Sequence, residues 1–342
     1  MQKKILLTGG LGYIGSHIAV ELLNQNYEVI IIDNLSNSEK FILENIEKIT
    51  QKKPLFFELD LCQKTQLQYF FAQNKNIDAI IHLAAFKYVG ESVFNPYKYY
   101  QNNLISFLNL LEMIQNYEIE NLIFSSSCTV YGNVKDFPIT EKTPLDINTP
   151  SPYGKTKQMC ESFLQDIAKT NSKLNTQILR YFNPMGAHES GLLGELPLGE
   201  PHTLMPYITQ TAIGKRKILK VFGNDYDTKD GTCERDFFHI TDLVNAHIVT
   251  LKRLLEKQNE TNIEIFNFGS GKSNSVLSMI DSFEKVNQVK VNFEFAPRRD
   301  GDVAKSYADC SKAKEVLNWQ PTKTIDDITK SAWAWEKYLK NR

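Results

Sequence analysis

The chain opens on the apolar run Lys4-Ile5-Leu6-Leu7 and turns at once into Thr8-Gly9-Gly10-Leu11-Gly12-Tyr13-Ile14-Gly15. This glycine-rich turn limits the possible folds more than any other feature. Gly9 permits a tight turn, Gly12 lets a pyrophosphate approach the backbone, and Gly15 lets helix and strand pack closely. The helix that follows, expected over Ile14–Asn24, offers amide donors and a favourable dipole to negative charge at its N-terminus. Alone, such a run is more often a plain turn than a dinucleotide site. Here the second apolar run, Glu28–Asp33, ends in a carboxylate 18 residues beyond Gly15. An acid at that point accepts both ribose hydroxyls and repels a 2′-phosphate, and no Arg follows immediately. The expected cofactor is NAD, not NADP.

Short apolar runs alternate with helical stretches through the first half, the pattern of a parallel sheet wrapped by helices. Strands are expected at Lys4–Thr8, Glu28–Asp33, Leu55–Glu58, Ala79–Leu83, Leu122–Ser125 and Thr176–Tyr181, and helices at Ile14–Asn24, Tyr97–Asn116 and Lys155–Lys169. After Asn183-Pro184 the texture changes, with eight Gly and Pro residues over 184–206. The helix Asp242–Leu255 and strand Ile263–Phe268 then return to the sheet. The fold class is α/β: a Rossmann-type doubly wound parallel sheet with a smaller, mixed α/β C-terminal substrate lobe. We expect residues 1–183, joined by 236–270, to form the NAD-binding half, and 184–235 with 271–342 to form the second lobe.

Composition removes several function classes. Lys plus Arg total 39 against 40 Asp plus Glu, a net charge of −1, so no basic excess points to nucleic acid or an anionic membrane. The first apolar run stops at Thr8-Gly9, too short for a signal-peptide core. No later run approaches the ~18 residues that span a bilayer. Five cysteines are scattered with no C-x-x-C pair, as suits free thiols in a reducing cytoplasm. The histidines are isolated and none has metal-ligand spacing, so no structural metal is expected.

Two segments carry chemistry. Phe124-Ser125-Ser126-Ser127 ends the fifth strand, and Tyr153-Gly154-Lys155-Thr156-Lys157 opens a helix. Tyr153 and Lys157 lie four apart and share a helix face. A free tyrosine ionises near ~10 and is a poor base at neutral pH, but an adjacent ammonium and oxidised nicotinamide favour the phenolate. Ser127 then holds the reacting hydroxyl. A solvated surface pair is the usual meaning of an isolated Tyr-x-x-x-Lys; it loses here because a dinucleotide loop and a serine-ended strand precede it in order. Tyr153, Ser127 and Lys157 are the candidate catalytic residues.

At this point the chain resembles the UDP-glucose 4-epimerases of the extended short-chain dehydrogenase/reductase family. The matching segments are Thr8–Ser16 (TGGLGYIGS), Asp33-Asn34-Leu35, Val89–Ser92, Phe124–Ser127, Ser151–Lys155 (SPYGK), Leu179–Pro184 (LRYFNP), Leu204–Ile208, Phe222–Tyr226 (FGNDY), Arg235-Asp236 and Phe295–Asp302 (FAPRRDGD). The resemblance implies that NAD meets Gly9, Gly12, Tyr13, Ile14, Gly15, Asp33, Asn34, Leu35, Ser36, Asn37, Ser38, Asp60, Leu61, Leu83, Lys87, Asn102, Ser127, Tyr153, Lys157 and Phe182. It assigns Ser127, Tyr153, Asn183, Thr203, Leu204, Phe222, Arg235, Arg299, Asp302 and Ser306 to the UDP-sugar. Two arginines suit a diphosphate and an aromatic can cover uracil. His202-Thr203 departs from the pair of asparagines common in the family.

The implied reaction interconverts UDP-galactose and UDP-glucose: Tyr153 takes the 4-OH proton as C4 is oxidised, and the keto sugar turns over before reduction on its other face. Ser306, four past Asp302, stands where a tyrosine in the family is associated with rejecting 2-acetamido sugars. A serine there leaves room, so UDP-N-acetylglucosamine and UDP-N-acetylgalactosamine are expected substrates as well. A homodimer is implied, with Tyr97–Asn116 and Lys155–Lys169 as its interface. The rivals are a nucleotide-sugar 4,6-dehydratase, whose usual Asp-Glu pair is replaced here by Cys128-Thr129, and a non-catalytic NAD-binding sensor.

Overall fold

The structure is a computed structural model that describes residues 2–299 and 302–342. In chain order its elements are β1 (Lys4–Thr8), α1 (Tyr13–Asn24), β2 (Glu28–Asp33), α2 (Phe41–Thr50), β3 (Leu55–Glu58), α3 (Lys64–Gln73), β4 (Ala79–His82), α4 (Val89–Phe94), α5 (Pro96–Asn116), β5 (Asn121–Ser125), a 3₁₀ turn (Cys128–Tyr131), α6 (Pro152–Thr170) and β6 (Asn175–Tyr181). There follow β7 (Asn183–Met185), α7 (Leu204–Ala212), β8 (Leu219–Phe222), β9 (Glu234–Arg235), β10 (Phe237–His239), α8 (Ile240–Leu255), β11 (Ile263–Phe268), β12 (Asn274–Ser275), α9 (Val276–Asn287), β13 (Phe293–Ala296), β14 (Lys305–Ser306), α10 (Ser311–Leu317) and α11 (Ile325–Asn341).

Seven strands form one sheet in the order β11-β6-β5-β4-β1-β2-β3. The chain lays β2 and β3 to one side of β1, then crosses to lay β4, β5 and β6 on the other. That reversal between β1 and β4 is the switch point at which open α/β sheets bind ligands, outside the strand C-termini. The pairings of β1 with β2 and with β4 are parallel. Their Ile- and Leu-rich runs are buried on both faces, as central parallel strands require. Leu6, Ile30, Ile80 and Leu122 join Phe107, Leu110 and Leu164 from helices in one apolar core.

The chain divides into two compact units. The first is Met1–Gly132, Pro144–Arg180 and Val244–Phe266; the second is Asn133–Thr143, Tyr181–Leu243 and Asn267–Arg342. These bounds differ from the expected ones at four places: 133–143, 181–183, 236–243 and 267–270 all fall in the second unit. Segment 133–143 falls in the second unit, where Ile139 N–H donates to the Tyr307 carbonyl and Ile139 O accepts from Asp309 N–H. The return begins at Val244, not 236, because β10 pairs with β7 and Asp242 accepts bonds from Thr322 and Lys323. The second unit has its own core, in which Met205, Ile208, Val221, Phe237, Phe283 and Ile328 pack together. Its strands are short: β12-β9-β14, β10-β7 and β13-β8.

Candidate active site

Gly9 turns the chain after β1 with φ +70°, and a Cβ there would lie 2.8 Å from the Ala84 backbone nitrogen. A Cβ on Gly15 would collide with the Gly9 carbonyl, so α1 presses directly on the turn. Gly12 is the N-cap of α1 and brings no capping side chain, which leaves Tyr13 and Ile14 at an uncapped, electropositive helix head. A pyrophosphate fits such a cradle, and most side chains at these glycines would fill it.

Asp33 does more than the sequence suggested. Its Oδ2 accepts Leu11 N–H at 3.0 Å, while Oδ1 accepts Leu35 N–H at 3.0 Å and the Ser38 hydroxyl at 2.8 Å. The carboxylate thus ties the glycine turn to the loop after β2, where Leu35 adopts a left-handed φ of +57°. Two carboxylate oxygens offer about four acceptor positions. Three are taken, so the expectation that both ribose hydroxyls bond Asp33 narrows to one position open on Oδ2 unless Ser38 turns aside. Asn34 Oδ1 accepts Ser36 N–H, and Asn37 Oδ1 accepts the Tyr88 hydroxyl at 3.5 Å. Lys87 Nζ stands 5.9 Å from the Tyr13 ring centre. Leu83 N–H donates to the Thr8 carbonyl, fixing the end of β4 beside the turn. Asp60 accepts Cys62 N–H, Leu61 is buried, and the Cys62 thiol reaches the Asn102 carbonyl, so these three expected residues converge around Cys62.

The same unit assembles the reacting groups. Ser127 is extended, and its Oγ accepts Thr129 N–H at 3.3 Å to cap the 3₁₀ turn. The hydroxyl keeps its own proton to donate. Ser151 caps α6 by accepting Gly154 N–H at 3.1 Å, with Pro152 at the first helical position. A Cβ on Gly154 would lie 2.9 Å from the Thr129 carbonyl, so the head of α6 is pressed onto the turn that Ser127 caps. Tyr153 and Lys157 therefore start from the same spot as Ser127. Both are nearly enclosed, 8% and 4% exposed.

Lys157 Nζ donates to the Ser125 carbonyl at 2.7 Å and sits 4.8 Å from the Phe124 ring centre. Burial lowers its pKa from 10.5 to about 8. His82 faces it from β4, with Nδ1 2.8 Å from Thr8 Oγ1; burial first, then the Lys157 charge, lower its pKa to about 3 and keep the imidazole neutral.

The second unit gathers most of the expected nucleotide-sugar residues. Arg235 on β9 donates to the Val303 carbonyl at 2.7 Å and to Asp302 Oδ1 at 3.3 Å. Arg299 Nε donates to Asp302 Oδ2 at 3.0 Å, and its guanidinium lies 5.0 Å from the Phe222 ring centre. Two guanidinium groups thus converge on one carboxylate beside an aromatic face. Ser306 pairs in register with Arg235, and Lys305 with Glu234, so alternation sends Lys305 to the opposite face, where it meets Glu234 at 3.7 Å. Thr203 caps no amide through its side chain at the head of α7 and instead donates to Glu195 at 2.9 Å; Leu204 follows as the first residue of the helix. Asn183 N–H donates to the Asp236 carbonyl, and buried Phe182 N–H donates to the Phe268 carbonyl.

Two buried acids have no role that the sequence motifs assign. Glu161, on α6, binds Arg180 and Ser126. Asp236, next to Arg235, accepts from Ser270 and from the amides of Gly271 and Ala308. The available signal was a charge inside a stretch otherwise patterned as core: Glu161 beside Cys160, and Arg180 within Ile178-Leu179-Arg180.

Among the described residues no helix is long and apolar enough to cross a membrane, and no group of His, Cys, Asp and Glu is arranged to hold a metal ion. The family described as GDP-mannose 4,6 dehydratase matches residues 6–332. The chain is 46% identical over 332 residues to the UDP-glucose 4-epimerase of Bacillus subtilis (strain 168), covering 97% of this chain and 96% of that protein. It superimposes with a TM-score of 0.94 on the UDP-glucose 4-epimerase from Bifidobacterium longum in complex with NAD+ and UDP, at 42% identity over 99% of both chains. It is also similar to the UDP-Glc/GlcNAc 4-epimerase of Campylobacter jejuni, with a TM-score of 0.84 and 39% identity over 98% of this chain and 99% of that one.

Proposed function

The chain belongs to the UDP-glucose 4-epimerase family, and from that premise we propose that it interconverts UDP-galactose and UDP-glucose by transient oxidation at C4. The observation that carries this is the enclosed Tyr153–Lys157 turn of α6 pressed against the Ser127 cap. The glycine cradle and Asp33 would hold NAD, which would supply hydride transfer at C4. Tyr153 takes the proton of the 4-hydroxyl and returns it after the keto sugar has turned over. An ordinary tyrosine ionises near ~10, and the ammonium of Lys157 one turn away favours the phenolate. Ser127 donates to the same sugar oxygen and orients it. In the second unit Arg235 and Arg299 bind the diphosphate, Phe222 covers the uracil, and Asp302 accepts ribose hydroxyls, with Asn183, Thr203 and Leu204 beside them.

A 4,6-dehydratase needs an acid and a base at the two positions after Ser127. Cys128 and Thr129 stand there, and neither is a carboxylate. A sensor without catalysis has no use for an enclosed Tyr-Lys pair. Incubating the purified protein with UDP-galactose and watching for UDP-glucose, a dehydrated sugar or nothing separates the three.

Ser306 leaves space for a 2-acetamido group, and the similarity to the UDP-Glc/GlcNAc epimerase supports acceptance of both N-acetylated substrates. A homodimer forms through α5 and α6. The apolar side chains Tyr97, Ile105 and Leu108 on α5 are exposed at 73%, 41% and 48%, more than a lone subunit gains by showing. All five cysteines are free thiols, which suits the cytoplasm.

A further inference from the structure

Behind the reacting groups lies a buried polar cluster that the reaction does not consume. Glu161 Oε1 accepts the Ser126 hydroxyl at 2.5 Å and Arg180 Nε at 3.0 Å, and Oε2 accepts Arg180 NH2 at 2.5 Å. Arg180 NH1 donates in turn to the Tyr131 hydroxyl at 3.1 Å. Ser126, Glu161, Arg180 and Tyr131 are all at most 3% exposed. Four elements meet there: the end of β5, the 3₁₀ turn, α6 and β6.

The register of this cluster is specific. Ser125 and Ser126 are consecutive, and Lys157 and Glu161 are consecutive turns on one face of α6. Lys157 holds the Ser125 carbonyl while Glu161 holds the Ser126 hydroxyl. Two adjacent residues of the strand end are thus gripped by two adjacent turns of the helix, immediately before Ser127. Removing an ion pair from water carries a desolvation cost of several kcal/mol per ion, and hydrophobic residues of the same volume often serve stability better. Stability alone therefore explains the pair poorly; it fits a role in fixing geometry.

We propose that Glu161, locked by Arg180, is a positioning residue for the reaction: it fixes the strand end from which Ser127 reaches and the helix face that carries Lys157 and Tyr153. The proposal deepens the epimerase reading and rests on it only for the identity of the sugar. Charge works in the same direction, since the Glu161 carboxylate favours the Lys157 ammonium against its burial. The groups facing Lys157 are neutral His82 from β4, Tyr153, Cys160 and Glu161 from α6, and, beyond Glu161, Arg180 from β6 and Tyr131 from the turn.

The test uses the protein as purified, with its retained cofactor, and two variants. Glu161→Gln removes the charge but strands Arg180 and risks the fold; Ser126→Ala keeps the ion pair and removes only the grip on the strand. The first readout is the ionisation midpoint of Tyr153, taken as the tyrosinate absorbance lost when Tyr153→Phe is added to each background. It requires no substrate. The second is kcat and KM with UDP-galactose. In Glu161→Gln, which alters both the Lys157 ammonium and the Arg180 charge behind it, the midpoint should shift by roughly 0.5–1 pH unit. In Ser126→Ala kcat should fall roughly tenfold or more with KM within about twofold, the scale expected when a reacting group shifts by a fraction of an ångström. Variants that lose only thermal stability, with midpoint and kcat unchanged, overturn the proposal. If the unaltered protein ignores UDP-galactose, the functional reading falls and the Tyr153 midpoint still decides the role of Glu161.

Discussion

Lys157 Nζ lies 2.7 Å from the carbonyl oxygen of Ser125, a bond from the second turn of α6 to the last residue of β5. It joins the helix that carries Tyr153 to the strand that delivers Ser127, and it encloses an ammonium beside a phenol. Replacing Tyr153 by Phe keeps this bond and the helix cap while removing the base. We expect Tyr153→Phe to fold and retain NAD, with epimerisation reduced by roughly two to four orders of magnitude. Near-native turnover would remove Tyr153 from the chemistry.

The same enclosure gives a pH signature. A lysine is cationic below its pKa, and burial brings that of Lys157 down from 10.5 to about 8. The cation that favours the phenolate is therefore present at neutral pH and lost as pH rises through about 8, so kcat should carry an alkaline limb there. For stability the sign is opposite. The unfolded chain holds this proton up to 10.5, so unfolding takes up a proton between about 8 and 10.5 and stability from this group rises with pH across that window. At pH 7 the charge costs about 3 kcal/mol, from 1.36 kcal/mol per unit. Lys157→Met should relieve that, less the cost of leaving the Ser125 carbonyl unpaired. The expected net gain is about 1–2 kcal/mol by urea unfolding at pH 7, together with loss of activity. Destabilisation at pH 7 would contradict the assigned burial cost.

Asp33 gives a cofactor prediction. Its carboxylate holds Leu11 N–H, Leu35 N–H and Ser38 at once, so Asp33→Ala removes a ribose acceptor and also loosens the glycine turn. The wild-type protein should release NAD, and not NADP, on denaturation, and the variant should release about tenfold less per chain, a loss near 1.4 kcal/mol of binding. Equal release from both proteins would rule out Asp33 as a cofactor ligand.

Ser306 predicts substrate range. It is half-buried and in register with Arg235, on the face opposite to Lys305. We expect wild-type kcat/KM for the N-acetylated pair to lie within about tenfold of that for UDP-galactose and UDP-glucose. Ser306→Tyr should lose roughly 100-fold or more on the acetylated pair alone, the scale of a steric clash of about 3 kcal/mol. Wild-type protein inert toward acetylated sugars would end this argument.

Much of the first unit was readable because its signals are local. The Glu28–Asp33 run appears as β2 with the expected bounds, and the helix expected over Lys155–Lys169 lies within α6. Burial on both faces writes such strands as continuous Ile and Leu runs. Other features depend on distant partners. Nothing near residue 139 announces that it bonds Tyr307 and Asp309, and β9, β12 and β14 are two residues each, too short for any periodicity. The helices Phe41–Thr50 and Lys64–Gln73 start from Lys40 and Gln63, neither of which caps through its side chain, so no N-cap signal marks them in the sequence. The pairing of Glu161 with Arg180 is not local either: only the fold brings the two charges together and buries them.

The central claim is that the C4 hydrogen leaves the sugar, stays within the enzyme and returns to the same carbon from the other side. The direct measurement supplies UDP-galactose deuterated at C4 to the purified protein without added cofactor and follows the products by NMR. We predict a mixture of UDP-galactose and UDP-glucose with deuterium kept at C4 in both. No UDP-glucose, a dehydrated keto sugar, or UDP-glucose carrying solvent hydrogen at C4 would contradict it.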